Sequence, residues 1–325
     1  MELISTKLFH KLDISKYFPG QNSCFIDIET TGLDRNKQII YLIGLLYYDR
    51  DSEMWILNQY FSDAVEKEKS LLNLFLDDVA SFDNLINYNG DRFDTPFINH
   101  RLAYNGIDKS ISLDNSYDLY KTIKANKDYL KLENLKLKTV ETSLGYHRED
   151  IYSGFDCIGF YYNYIKNKDP LLKERILKHN SDDLFYMLDI IEILDVIHSK
   201  KAIAIESNTH PLDFTIENIK IDKDIMYIDG HADKDIDKNI KFFSDKYNIA
   251  TDQYRSISIS INIKYGYVAE NEKSVYIDLL DYPDKTLINN SNYNIPSNIY
   301  ILKVEKEFYM ENIKLLLKSI LEEVL

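Results

Sequence analysis

The stretch that decides the fold is Phe25-Ile26-Asp27-Ile28-Glu29-Thr30-Thr31-Gly32-Leu33, an apolar run that ends in two acids and a turn. The apolar run predicts a strand. Because alternate residues of a strand share a face, Asp27 and Glu29 point the same way and Ile26 and Ile28 point to the opposite face. Two adjacent carboxylates repel each other unless a cation or a proton lies between them. We therefore expect a cation site here; a solvated strand end is the alternative.

The elements predicted around this stretch are an antiparallel run of strands followed by alternating helices and strands. Periodicity and turn residues predict strands at 24–28, 39–48, 54–61, 84–89 and 111–113. They predict helices at 64–81, 93–104, 116–124, 137–144, 155–166 and 171–198. This order is that of an α/β, ribonuclease H-like fold, with a mixed five-stranded sheet flanked by helices.

The pattern of predicted secondary structure changes after Ser199. Strands are predicted at 214–221, 225–228, 256–264, 274–279 and 299–304, and helices at 236–247 and 309–325. We therefore expect a ribonuclease H-like domain over 1–199 and a C-terminal α+β accessory domain of unknown role over 200–325. Within the latter, Asp229-Gly230-His231-Ala232-Asp233 is interpreted as a surface loop, with a metal site through His231 as the alternative.

The second acidic segment contains Asp94, which follows the turn pair Asn89-Gly90 and opens a predicted helix. Such a position suits a metal ligand, but it also suits an acid that the helix dipole favours. Asp91 is interpreted as a loop residue.

The third acidic segment is His179-Asn180-Ser181-Asp182-Asp183-Leu184. His179 and Asp183 are four residues apart and therefore share a helical face. On that face Asp183 could bind a metal and His179 could act as a general base for an attacking water. A polar helix face is the alternative, and the spacing places Asp182 on another side of the helix.

Composition limits the class of protein and its partners. The net charge of −14 argues against a broad basic surface, so we expect weak, salt-sensitive binding to nucleic acid. The two cysteines form no CxxC pair, which indicates a reducing compartment. With no secretory signal or membrane span in the sequence, we expect a cytoplasmic protein without a membrane partner.

Taken together, these segments resemble the DEDD superfamily of 3′–5′ exonucleases. Asp27 and Glu29 match its first motif, Asp94 its second and Asp183 its third. The local sequence around these motifs is most similar to that of the YprB-type ribonuclease H-like exonuclease-domain proteins, over about residues 20–195. The segments that carry this likeness, besides 25–33, are Ile40-Tyr41-Leu42-Ile43-Gly44, Tyr88-Asn89-Gly90, Phe93-Asp94, Tyr117-Asp118-Leu119-Tyr120, 135–141 and His179-Asn180.

The resemblance implies an exonuclease domain over 1–199 that hydrolyses phosphodiester bonds at a single-stranded 3′ end, in DNA or RNA, with two divalent cations, Mg²⁺ or Mn²⁺. It implies that Asp27 bridges both cations, that Glu29 and Asp183 complete the site that activates water, and that Asp94 acts at the other site. His179 is the implied general base, four residues before the last acid. The implied contacts to the substrate involve Thr30 and Leu33 at the terminal nucleotide, with Asn89 and Phe93 supporting Asp94.

Two acids and two other functions stay open at this point. Asp118 is either a further cleft acid or a helix cap, and Glu141 is interpreted as a surface partner of Lys138, three residues away on a helix. The same metal pair also serves endonucleases, so a structure-specific endonuclease is one alternative. A catalytically silent nucleic-acid-binding or assembly protein is another, and the C-terminal domain could dock a protein partner.

Overall fold

The computed structural model describes residues 1–148, 152–207, 210–236, 239–252 and 254–325. The chain divides into two compact units, one of residues Met1–Lys127 and Leu132–Leu194 and one of residues Asp128–Lys131 and Asp195–Leu325. No helix among the described residues is both long enough and apolar enough to cross a membrane.

The first unit is built on a mixed sheet. Its strands are β1 Glu2–Leu8, β2 Ser23–Thr30, β3 Ile40–Asp49, β4 Met54–Phe61, β5 Asn84–Asn87 and β6 Ser116–Asp118. Its helices are α1 Glu68–Val79, α2 Asp94–Tyr104, α3 Leu119–Ala125, α5 Leu137–Ser143, α6 Gly154–Asn167 and α7 Pro170–Asp189. The chain passes between the units at α4 Lys127–Leu130 and α8 Ile193–Lys201.

The strand order is β1-β4-β3-β2-β5-β6, antiparallel as far as β2 and parallel from β2 to β6. This confirms the predicted ribonuclease H-like fold, with six strands where five were expected. The added strand, β1, lies at the sheet edge and pairs through Glu2↔Phe61 to Leu8↔Trp55. Most of its side chains are exposed, so it lacks the apolar periodicity of a buried strand.

The strand predicted at 111–113 is wrong, and the strand in its place is β6. The side-chain amide of Asn99 takes both backbone groups of Ile111, donating to its carbonyl at 2.9 Å and accepting from its N–H at 2.8 Å. Ser112 then caps a 3₁₀ turn. The helix predicted from 116 accordingly begins only at Leu119, and the helix predicted over 171–198 is interrupted after Asp189 by a second 3₁₀ turn.

Two apolar layers enclose the sheet of the first unit. One face packs on α1 and α2 through Ile26, Ile28, Phe75 and Phe97, among others. The opposite face packs on α6 and α7 through side chains that include Tyr161 and Ile176. The acidic residues of β2 belong to this second face, because they alternate with the isoleucines of the first.

The second unit contains antiparallel sheets and a C-terminal helix. Its strands are β7 Ala202–Ile205, β8 Leu212–Asp222, β9 Ile225–Ala232, β10 Lys241–Phe243, β11 Tyr247–Thr251, β12 Ser256–Asn262, β13 Lys264–Ala269, β14 Glu272–Asp278, β15 Ile299–Val304 and β16 Glu307–Phe308. The order is β10-β11-β12-β9-β8-β7 in one sheet and β13-β14-β15-β16 in the other. Helix α9, Met310–Val324, buries Ile313, Leu316, Leu317, Ile320 and Leu321 on one face.

Two predictions for this unit are wrong. The helix expected over 236–247 is replaced, where the structure describes it, by β10 and the start of β11; residues 237 and 238 lie outside the described residues. Ser244 closes that hairpin by accepting from the backbone N–H of Tyr247 at 3.0 Å. His231 lies in β9 rather than in a loop, with Nδ1 3.0 Å from Glu217 Oε1.

Candidate metal centre

Strand β2 carries the first two acids to the sheet face that α7 covers. Ile26 and Ile28 are buried in the opposite layer, so Asp27 and Glu29 emerge together beneath the helix. Glu29 is only 7% exposed. A carboxylate this deeply buried is rare unless it has a partner, so this end of β2 is a candidate for a functional site.

A β-bulge follows Glu29. Glu29 pairs with Leu42 and Thr30 pairs with Ile40, so Tyr41 of β3 is the extra residue. The hydroxyl of Tyr41 points to Glu29 Oε2 at 3.4 Å. Bulges re-aim side chains next to sites, and here the bulge turns a buried tyrosine toward an acid of the cluster.

Asp94 reaches the cluster from the first turn of α2. The backbone N–H of Ile28 donates to Asp94 Oδ1 at 3.3 Å, which ties the helix start to β2. The turn before it includes Asn89 in a left-handed conformation, with φ of 64°, and the N–H of Asn89 donates to Asp118 Oδ1 at 2.8 Å. Asp118 is also the N-cap of α3, accepting from Tyr120 N at 3.0 Å, so the capping interpretation of this residue fits the structure.

Helix α7 supplies the fourth acid, Asp183, and the histidine. It begins with Asp169 as N-cap and Pro170 in its first turn, a strong start pattern. His179 Nε2 lies 3.6 Å from both Glu29 Oε1 and Asp183 Oδ2. One ligand atom from each of these three residues falls within 4.8 Å of the others, a spacing that one metal ion could bridge.

Asn180 fixes α7 against the strand. It is fully buried, its Nδ2 donates to Asp27 Oδ2 at 2.8 Å, and its Oδ1 accepts from Gln59 at 2.9 Å. Gly44 makes this close approach possible, because a Cβ there would lie 2.3 Å from Leu184 and 2.4 Å from Asn180. Gly44 pairs with Asp27 across the strands, so this close helix–sheet contact lies beside the cluster.

The electrostatics of the cluster disfavour full ionisation. Burial raises the pKa of Asp27 well above its usual range, and the charges of Asp183, Glu29 and Asp94 raise it further. Burial raises the pKa of Glu29 to about 8, against a lowering by His179, and the pKa of Asp94 to about 7. Acids in this state need protons or cations, and an all-oxygen set of carboxylates suits hard divalent ions.

The cluster also contains a pair that the sequence did not indicate. Glu141 is buried, and the guanidinium of Arg148 donates to it through both Nε, at 2.8 Å, and Nη2. Arg148 Nη1 donates to Asp183 Oδ1. The interpretation of Glu141 as a surface partner of Lys138 is therefore wrong.

The residues expected to contact a nucleotide occupy different environments. Leu33 is 84% exposed, whereas Thr30 is buried and its hydroxyl donates to the carbonyl of Gly32 at 2.9 Å. The ring of Phe93 is partly buried against Phe97, with centroids 5.5 Å apart. Their contacts to a substrate stay a prediction, as does the side-chain role of Asn89.

The two rival acids have other partners. Asp91 bonds to Ser116 and to Lys121, whose Nζ lies 2.5 Å from Asp91 Oδ2. Asp182 pairs with Lys178 at 2.7 Å on the outer side of α7.

Comparison with known proteins places the first unit in a family. A family model described as the RNase H superfamily matches residues 24–195. The uncharacterised protein YprB of Bacillus subtilis (strain 168) is 29% identical over 207 residues, an alignment that covers 62% of this chain and 47% of YprB. The chain thus spans about half the length of the curated relative that it matches, and the predicted likeness to YprB-type proteins is confirmed.

Several solved structures show a partial likeness to this chain. A family B DNA polymerase of Pyrobaculum calidifontis is 16% identical, with a TM-score of 0.41 over 56% of this chain and 26% of the polymerase. A zinc-bound Escherichia coli exonuclease I complex with single-stranded DNA is 12% identical, with a TM-score of 0.32 over 63% and 53%. Brucella melitensis NrnC with bound Mg²⁺ is 15% identical, with a TM-score of 0.30 over 57% and 87%. TM-scores this low carry no functional argument.

Proposed function

This chain belongs to the RNase H superfamily, and on that premise we propose that it is a metal-dependent 3′–5′ exonuclease that hydrolyses phosphodiester bonds of single-stranded nucleic acid. The observation that carries the proposal is the convergence of Asp27, Glu29, Asp94 and Asp183 on one largely buried cluster. Burial raises the pKa values of the first three, and the charges of the other cluster acids raise those of Asp27 and Glu29 further. Such a cluster costs stability in the metal-free protein, so it indicates a role that requires the acids to be there.

These four carboxylates would hold two divalent cations, Mg²⁺ or Mn²⁺. Bound there, the cations would supply charge neutralisation for an attacking water and for the leaving oxygen of the phosphodiester. Asn180 holds Asp27 through Oδ2, and the N–H of Ile28 holds Asp94 through Oδ1, so two of the acids are oriented by the protein before any ion binds.

His179 is the proposed general base. Its Nε2 is held 3.6 Å from both Glu29 and Asp183, so a proton taken from water at Nε2 would be stabilised by two carboxylates. The mostly buried imidazole faces the cluster from the same helical face as Asp183. We also propose contacts from Thr30 and Leu33 to the terminal nucleotide; Leu33 offers an exposed apolar side chain for a base or sugar.

The test is cleavage of 5′-labelled single-stranded DNA and RNA oligonucleotides with Mn²⁺, with Mg²⁺ and with EDTA. We expect a metal-dependent ladder that shortens from the 3′ end, and we expect Asp27→Ala to abolish it. A 3′-blocked oligonucleotide and a circular single strand serve as controls, since an exonuclease requires a free end.

Three outcomes of this test contradict the proposal. Cleavage of the circle would favour the structure-specific endonuclease. Binding of oligonucleotide without cleavage under any condition, by folded protein, would favour the catalytically silent protein. Equal cleavage by the Asp27→Ala variant would exclude this cluster as the site. A docking role for residues 200–325 stays a prediction.

A further inference from the structure

Arg148 lies between two acids at the edge of the cluster. Its Nε donates to Glu141 Oε2 at 2.8 Å and its Nη2 donates to Glu141 Oε1, so the guanidinium fork grips one carboxylate with two bonds. Its remaining terminal nitrogen, Nη1, donates to Asp183 Oδ1. The Arg148 side chain is 8% exposed and that of Glu141 is 1% exposed, so the arrangement is shielded from water.

The two oxygens of Asp183 face different partners. Oδ1 accepts from Arg148, while Oδ2 lies 3.6 Å from His179 Nε2 on the side of Glu29. A bond that holds Oδ1 fixes the plane of the carboxylate, and that plane determines where Oδ2 points. We propose that Arg148, anchored by Glu141, is a positioning residue that presents Asp183 Oδ2 to a divalent cation. This inference rests on the proposed function, because it takes Asp183 as a metal ligand.

Charge and packing support a positioning role over a role in binding anions. Glu141 neutralises Arg148, so the pair orients Asp183 while adding little positive charge that would repel a cation. The guanidinium also lies over the ring of Tyr186, 5.0 Å from the ring centroid. Tyr186 follows Asp183 by three residues on α7. The Nε, Nη1 and Nη2 groups of Arg148 all donate to protein carboxylates, which favours a rigid guanidinium.

The chain contains a matched control for this arrangement. Arg101 and Glu68 also form a buried forked pair, with both side chains 4% exposed and bonds of 2.8 and 2.6 Å. Glu68 in turn accepts from the backbone N–H of Ile40 at 2.9 Å. The pair has the same chemistry as Arg148 and Glu141, but within the part of the chain that the structure describes Arg101 makes no hydrogen bond to any of the four acids of the cluster.

The experiment measures Mn²⁺ affinity by calorimetry without nucleic acid, then kcat and KM on a single-stranded oligonucleotide. The variants are Arg148→Lys, Arg148→Ala, Glu141→Gln and the control Arg101→Lys. Lysine keeps the charge but cannot span two carboxylates. We expect Mn²⁺ binding to weaken roughly 10-fold in Arg148→Lys and Glu141→Gln and roughly 100-fold in Arg148→Ala. We expect Arg101→Lys to change it less than about twofold while lowering the melting temperature.

The kinetic readout separates positioning from substrate binding. At fixed Mn²⁺ we expect kcat to fall in the Arg148 variants, with recovery in Arg148→Lys as Mn²⁺ is raised and with KM for the oligonucleotide unchanged. Unchanged Mn²⁺ affinity in folded Arg148→Ala would overturn the inference and leave the proposed function standing, as would a rise in KM alone. Absence of Mn²⁺ binding by the wild-type protein would overturn the proposed function and, with it, this inference.

Discussion

At the residue scale, Glu29 and Asp94 show how an acidic cluster without bound metal makes the stability of the fold depend on pH. Their pKa values rise to about 8 and about 7, from ordinary values of 4.5 and 3.8, chiefly because both carboxyls are buried. The folded protein therefore holds more protons than the unfolded chain between about pH 4 and pH 8, and a rise in pH through this window favours unfolding.

A dependence of stability on pH follows from these shifts. In EDTA, the stabilising contribution of the protonated acids is fully present below about pH 4 and is lost as pH rises through 7 and 8. We expect the melting temperature of the metal-free protein to fall between pH 6 and pH 8.5. We also expect Mn²⁺ to raise it more at pH 8 than at pH 6, because cations replace the protons. Thermal melts with and without Mn²⁺ measure both effects.

The Glu29→Gln variant is the control for this prediction. Glu29 is the group with a pKa of about 8. Its removal should make the melting temperature depend less on pH above pH 7, and Mn²⁺ should then raise the melting temperature less. A wild-type protein whose stability in EDTA rises steadily from pH 6 to pH 8.5 would contradict the account of the cluster.

Most of the candidate site could be predicted from the sequence at this scale, and the part that could not has a physical reason. Asp27, Glu29 and Asp94 stand at strand and helix ends, and His179 and Asp183 share a helical face, so local periodicity predicts their directions. The partner of Arg148 on α7 is 35 residues away in the chain, and no local pattern shows such a contact. The i,i+3 rule gives the wrong partner for Glu141 because it assumes an exposed helix face, whereas Glu141 is buried.

At the scale of elements, the site depends on how closely α7 approaches β2 and β3. Gly44 is the residue that permits this approach, because any Cβ would meet Leu184 and the side chain of Asn180. Asn180 is the residue that holds Asp27, so displacement of the helix would disturb the acids on both elements.

We expect Gly44→Ala to impair both stability and activity. The added methyl forces α7 outward or Asn180 into another rotamer, a type of overpacking that costs about 1–3 kcal/mol. On the proposed function, cleavage should fall about 10-fold or more, because Asn180, which holds the proposed metal ligand Asp27, shifts. Chemical denaturation and the oligonucleotide assay measure the two effects.

Gly159 of α6 provides the matched glycine. A Cβ there has nothing within 4 Å, and alanine favours a helix, so Gly159→Ala should leave activity unchanged and raise the free energy of unfolding by up to about 1 kcal/mol. Full activity in Gly44→Ala would show that the close helix–sheet contact does not hold the site.

Elements with strong periodicity were predictable and elements fixed by side-chain bonds were not. Helix α1 and strands β2 to β5 follow apolar patterns, and α7 begins at an Asp-Pro pair that marks a helix start. The segment at 111–113 begins with the strand-favouring Ile111, yet the side-chain amide of Asn99 takes the backbone hydrogen bonds of that residue. Tertiary contacts of this kind override local propensity.

At the scale of the whole molecule, the net charge of −14 is the feature that bears on substrate binding. An acidic protein lacks the broad positive field that draws nucleic acid to a surface. On the proposed function, contact with the substrate would then depend on the few phosphates next to the proposed cations.

We therefore expect modest salt dependence of substrate binding. With about two phosphates neutralised, a plot of log KM against log[KCl] at fixed Mn²⁺ should have a slope of about 1.4, given about 0.7 per phosphate of a single strand. Values of KM measured between about 50 and 300 mM KCl give the slope. A slope near 5 would indicate a long basic track and contradict this view.

Mn²⁺ soaked into crystals of the protein would test whether Asp27, Glu29, Asp94 and Asp183 hold divalent cations. Anomalous scattering locates Mn²⁺ without reference to any assumed ligand set. We expect two Mn²⁺ peaks bounded by these four carboxylates, about 4 Å apart as in two-metal sites generally. Ordered crystals with no Mn²⁺ at this cluster, or with Mn²⁺ bound only elsewhere, would contradict it.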